Sequence, residues 1–80
     1  MDDTDIVRRI SKLAEEEHGL ERAHEGEELS GQEQERLREI EVALDQCWDL
    51  LRQRRARRNA GQDPDDVEVR PESVVEGYRQ

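Results

Sequence analysis

Two apolar seams of the same period lie on either side of a short glycine-containing break, and they fit each other in one register. The first runs Ile6, Ile10, Leu13, Glu17, Leu20, His24, in steps of 4-3-4-3-4. The second runs Leu37, Ile40, Leu44, Cys47, Leu51, in steps of 3-4-3-4. Such steps keep side chains on one side of an α-helix, which turns once in about 3.6 residues. Pairing residues whose numbers sum to 57 sets Ile6 against Leu51, Ile10 against Cys47, Leu13 against Leu44, Glu17 against Ile40 and Leu20 against Leu37. Every layer then opposes an a-type to a d-type position, as two antiparallel helices require. The expected fold is all-α: an antiparallel two-helix hairpin, coiled-coil-like, with an acidic, mostly irregular C-terminal tail.

Local signals set the bounds. Asp3, Thr4 and Asp5 are candidate N-caps for a helix over about 4–24, because acids suit the positive end of the helix dipole. The pattern lapses in an acidic turn at 25–30, where Gly26 can end a helix. Ser30-Gly31-Gln32-Glu33 fits a capping box and predicts a second helix over about 31–59, closed by Asn59-Ala60-Gly61. Residues 1–61 thus read as the hairpin and 62–80 as a tail. Asp63-Pro64 opens the tail with a turn, and Pro71 can start one helical turn through Val74 and Val75. The tail's valines and Tyr78 are expected either to dock on Trp48 and Leu50 or to stay in solvent.

Composition narrows the function. The 80 residues include 22 acids and 13 bases, for a net charge of −9, and only 31% are hydrophobic. So little apolar material cannot enclose an ordinary enzyme cleft, and the expectation is a non-enzymatic protein without a cofactor. The longest apolar run, Val42 to Leu44, cannot cross a membrane. The acidic start differs from a signal peptide, and the single cysteine gives no disulfide framework. These features point to a cytoplasmic protein.

Val7 and Ala14 on the first helix, and Ala43, Trp48 and Leu50 on the second, lie beside the seam and widen the apolar stripe. A two-helix hairpin leaves such a stripe uncovered, so either the tail or a second copy covers it; a homodimer forming a four-helix bundle is expected. The surface offered to partners is Val7, Ala14, Trp48, Leu50, Arg54, Arg55, Arg57 and Arg58.

The stretch from Leu44-Asp45-Gln46-Cys47-Trp48 through Arg57-Arg58, followed by Gly61, Asp63-Pro64, Val69-Arg70-Pro71 and Val75-Glu76-Gly77-Tyr78, resembles a family of short actinobacterial proteins classed as a domain of unknown function. The resemblance covers nearly the whole chain. It implies a small bacterial cytoplasmic protein and supplies no reaction, ligand or active-site residue.

The remaining candidates for chemistry are weaker. The arginines between Arg52 and Arg58 could grip phosphates and make the chain a nucleic-acid-binding accessory protein. Net acidity and the lack of an aromatic residue within the cluster argue against it, and the sum-57 register offers Asp2, Asp3 and Asp5 as partners instead. Glu15-x-x-His18 and Glu21-x-x-His24 have the spacing of helical di-iron sites, yet only Glu17, Glu21, His24 and Glu33 could converge, and no metal site is assigned. Glu17 on the seam reads as a register-setting polar residue, placed against Arg36 or the Gln46 region. Cys47 reads as a small buried hydrophobe without the neighbours that would make its thiol reactive.

Overall fold

Each long helix begins where a side chain can satisfy its first amides. The computed structural model describes residues 2–23 and 28–75, and every regular element among them is a helix. α1 spans Asp3–Ala23, α2 spans Gly31–Asn59 and α3 spans Glu72–Val75. The cap of α1 is Asp2, one residue before the expected candidates. Its Oδ1 accepts the Asp5 amide at 2.9 Å, and the Asp5 carboxylate accepts the Asp2 amide at 3.3 Å. At α2 the expected capping box forms: Ser30 Oγ accepts the Glu33 amide at 3.2 Å, and Glu33 Oε1 accepts the Ser30 amide at 3.1 Å.

The end of α2 is equally defined. Gly61 adopts φ 73°, the left-handed conformation that glycine reaches without a Cβ clash. That turn lets the Gly61 amide donate to the Arg58 carbonyl at 3.1 Å and the Gln62 amide to the Arg57 carbonyl at 2.8 Å. This pair of bonds is a Schellman motif, and it reverses the chain. An Asx turn follows, with Asp63 Oδ1 accepting the Asp65 amide at 2.9 Å.

α1 and α2 pack antiparallel around Ile6, Leu13, Ile40, Cys47 and Leu50, with Ile10, Leu44 and Leu51 partly buried against them. Ile40 is wholly buried although its expected partner is Glu17, which is half-buried. Burying one such side chain is worth roughly 1.5–3 kcal/mol. Arg36 selects Glu16 rather than Glu17: its Nε and Nη2 donate to the two Glu16 oxygens at 2.5 and 2.7 Å. Glu17 is thus left at the seam's edge. The described part of the acidic turn is Glu28, Leu29 and Ser30; the rest of it, with His24, lies outside the described residues.

The tail folds back along α2. Val67 packs against the core cluster and Val75 is 1% exposed, whereas Val69 and Val74 face outward. Pro71 precedes α3 rather than opening it, and its carbonyl accepts the Val74 and Val75 amides at 2.9 and 3.2 Å. Arg38 donates to Glu72 at 2.9 Å, tying α3 to the N-terminal third of α2. Of the two positions offered to a docking tail, Leu50 is buried and Trp48 stays 49% exposed, so among the described residues the tail takes the Leu50 side. Tyr78 lies outside the described residues.

Candidate interaction surface

The valley between α1 and α2 opens on two flanks of the core, and the tail closes one of them. Helical spacing lines up Gln46, Asp49 and Gln53 on that side of α2. Gln46 Nε2 donates to the Arg70 carbonyl at 3.2 Å, and Gln53 Nε2 donates to the Glu68 carbonyl at 2.8 Å. Asp49 is 1% exposed; its Oδ2 accepts from Gln53 at 2.9 Å and lies 3.4 Å from Arg70 Nε. A buried carboxylate needs such donors, and here they come from its own helix and from the tail.

Arg54 joins the three parts of the chain. Its Nε donates to Asp3 Oδ1 at 2.5 Å, and its Nη1 donates to Asp65 Oδ1 at 2.7 Å and to the Pro64 carbonyl at 3.1 Å. Arg58 also donates to Asp3, at 3.2 Å. Hydrogen bonds from Arg54, then from Arg58, hold the Asp3 carboxyl below the usual carboxylate value, and Arg54 does the same to Asp65. Of the three acids expected beside the arginines, only Asp3 takes this role. Asp2 and Asp5 cap α1 instead.

Among the described residues the opposite flank is open. A groove of about 530 Å³ lies there, with Val7, Trp48 and Leu51 as its apolar lining and Asp3, Arg52, Arg55 and Arg58 around them. Val7 and Trp48 are each 49% exposed. Trp48 is the chain's one tryptophan, and an indole half in water on a concave surface is the kind of anchor that interfaces cover.

The eight residues expected at the surface therefore divide. Val7, Trp48, Arg55 and Arg58 meet in this groove. Ala14 is half-buried two turns further along the same side of α1. Leu50 and Arg54 are corrections: they are 9% and 5% exposed, because the tail covers them. Arg57 turns toward the tail and donates to Gln62 at 3.0 Å. Leu51 and Arg52 also line the groove; their 3-4 spacing from Trp48 and Arg55 is the signal that finds them. No aromatic residue lies within the arginine cluster, but Trp48 sits one turn before Arg52 and shares its groove. Asp49 was missed as well, its signal being the polar but uncharged company of Gln46 and Gln53.

The model of a family described as a protein of unknown function, DUF2630, matches residues 2–80. The chain belongs to this family. Uncharacterized proteins of Mycobacterium bovis and of two Mycobacterium tuberculosis strains are 48% identical to it over 77 residues, covering 95% of this chain and 88% of each relative. These DUF2630 relatives are short and actinobacterial, as the resemblance implied. No solved structure matches.

In this DUF2630 chain the remaining candidates are quiet. Cys47 is buried, and burial pushes its thiol pKa up against a smaller opposing pull from Arg9, a cation the seam pattern did not show. No group of three or more His, Cys, Asp or Glu among the described residues could hold a metal ion. His24, part of the Glu17, Glu21, His24 and Glu33 set, lies outside them. No helix among the described residues is long and apolar enough to cross a membrane.

Proposed function

We propose that this chain is a non-enzymatic protein–protein interaction module of the bacterial cytoplasm, and that its docking surface is the open flank of the hairpin. One observation carries the reading. The tail seals the Leu50 flank, while Trp48 and Val7 stay half exposed over an apolar groove edged by arginines. A large aromatic anchor with arginines beside it is the composition that recurs at the energetic centre of interfaces. The sealed flank supplies rigidity, so the surface is formed before a partner arrives and less ordering is required on binding.

The test compares tagged wild type with Trp48→Glu, each recovered from the native host in the presence of a second, differently tagged copy. The expected result is a protein, either a host partner or the second copy, that is retained by wild type and lost from Trp48→Glu. Val69→Glu, on the tail side, should retain it. If nothing recovered depends on Trp48, the reading fails.

A second reading draws on the same groove. Trp48 beside Arg52, Arg55 and Arg58 places a stacking surface next to cations, as single-stranded nucleic-acid binders do. The net charge of −9 and the presence of Asp3 in the groove favour a protein partner. A salt titration of labelled single-stranded RNA and duplex DNA separates the two. The interaction module binds either one no tighter than the non-specific range, about 10⁻⁴ to 10⁻⁶ M at physiological salt. A salt-sensitive, sub-micromolar affinity lost on Arg52→Glu/Arg55→Glu would favour nucleic acid.

A further inference from the structure

We infer that the occupant of the open flank is a second copy of this chain, packed so that α1 lies antiparallel on α1 and α2 antiparallel on α2. The inference rests on the open flank being an interaction surface, and it names the partner and its orientation.

The argument starts from how charge runs along that flank. Steps of three, four and seven put Val7, Ala14, Glu17 and Glu21 on one side of α1, and Glu41, Leu44, Trp48, Arg52 and Arg55 on one side of α2. Val7 and Trp48 face the same groove, which fixes these two rows as the same flank. Because the helices are antiparallel, the rows share one order. Carboxylates lie toward the turn, apolar side chains in the middle, and Arg52 and Arg55 at the far end beside the N-terminus of α1, where the Asp3 carboxylate is already paired with Arg54 and Arg58. The flank is therefore a strip with one acidic end and one basic end. It is self-complementary when a copy is laid on it in reverse.

Symmetry then selects the arrangement. Two copies of one surface meet about a twofold axis, and this flank admits two orientations of it. An axis along the helices stacks α1 on α2 of the other copy and superposes the two arginine ends. Like charges brought together in this way cost several kcal/mol. An axis across the helices stacks each helix on its own counterpart and sets Arg52 and Arg55 of one copy against Glu17, Glu21 and Glu41 of the other. In the sum-57 register, an axis midway between the two charged ends brings Trp48 to the level of Ala14 and Leu44 of the second copy. A small side chain there leaves room for an indole, a large-against-small packing of the kind that fills four-helix bundles.

Charge exchange tests this directly, with sedimentation for mass and circular dichroism for folding. Wild type sediments as a dimer. Arg52→Glu/Arg55→Glu and Glu17→Arg/Glu21→Arg each stay helical and dimerise about tenfold more weakly or worse. Mixed in equal amounts, the two variants form a heterodimer, because each reversed end now meets its complement. Ala14→Trp, which fills the space across the axis, also weakens the dimer, whereas Val69→Glu on the tail side does not. A wild type that is monomeric at every concentration overturns the inference. So does a dimer indifferent to both reversals, or a mixture that fails to pair. A monomer that still retains a host protein through Trp48 overturns the second copy alone and leaves the interaction reading standing.

Discussion

Asp3 and Arg54, separated by 51 residues, meet at 2.5 Å with the guanidinium 6% exposed, and their numbers sum to 57. This ion pair is the outermost layer of the register that the apolar seams define. It carries the antiparallel packing past the hydrophobic core to the open end of the hairpin, where Arg58 reaches the same carboxylate. The same arginine holds Pro64 and Asp65, so the end of the hairpin and the start of the tail share one anchor.

The register has a chemical test. Ile10 packs against the cluster that contains Cys47, and facing seam positions approach the Cα separation a disulfide needs. Ile10→Cys should therefore oxidise to an internal disulfide with Cys47, while Val7→Cys, in the open groove, should stay reduced within the monomer. Thiol titration after mild oxidation, with non-reducing electrophoresis, reads the outcome.

The tail has an acid-sensitive hold. The folded-state pKa values of Asp3 and Asp65 are both depressed below the ordinary 3.8 by hydrogen bonds from Arg54, with Arg58 adding to the effect at Asp3. A depressed carboxylate adds stability that is present above its unfolded pKa and is lost as pH falls through its folded pKa. The melting temperature should thus drop as pH is lowered from about 4. Asp3→Asn/Asp65→Asn should melt lower at neutral pH and show a shallower acid limb. Melts followed by circular dichroism at a series of pH values decide it.

Two tail valines should respond very differently. Val75 is 1% exposed and Val69 is 60% exposed. Val75→Ala should destabilise by about 1–3 kcal/mol, from lost burial and the cavity left behind. Val69→Ala should stay within about 0.5 kcal/mol. Equal costs in urea unfolding would mean that the tail is not seated as described.

The start of α2 depends on a single hydroxyl. Ser30→Ala removes the acceptor of the Glu33 amide and should cost about 1 kcal/mol, with Ser30→Asp largely preserving the cap. Thermal melts of the two variants check the order.

What the sequence disclosed follows from which interactions are local or periodic. The seams, the Ser30 capping box and the Gly61 terminus are written in spacings of one to seven residues, and the described residues carry the capping box, the terminus and most of both seams. The surface was only half legible. Leu50 and Arg54 read as exposed because nothing in the spacing of α2 shows that residues 64–67 return to cover them. Asp49 read as one more solvated acid, since its burial depends on a tail held through main-chain carbonyls. Glu16 and Glu17 offered Arg36 neighbouring carboxylates, and only the helix phase chooses between them.

The manner in which α2 grips the tail has a consequence for mutational drift. Gln46, Gln53 and Arg54 bind the carbonyls of Arg70, Glu68 and Pro64, groups that every amino acid carries. Side chains at exposed tail positions such as Asp66, Glu68 and Val69 can therefore be exchanged with little effect on how the segment lies. The two glutamines cannot, because their amides have to reach a fixed ladder of oxygens. A saturation scan should find the constraint displaced from the docked tail segment to the helix beneath it, with tolerance along 66–69 and intolerance at 46 and 53.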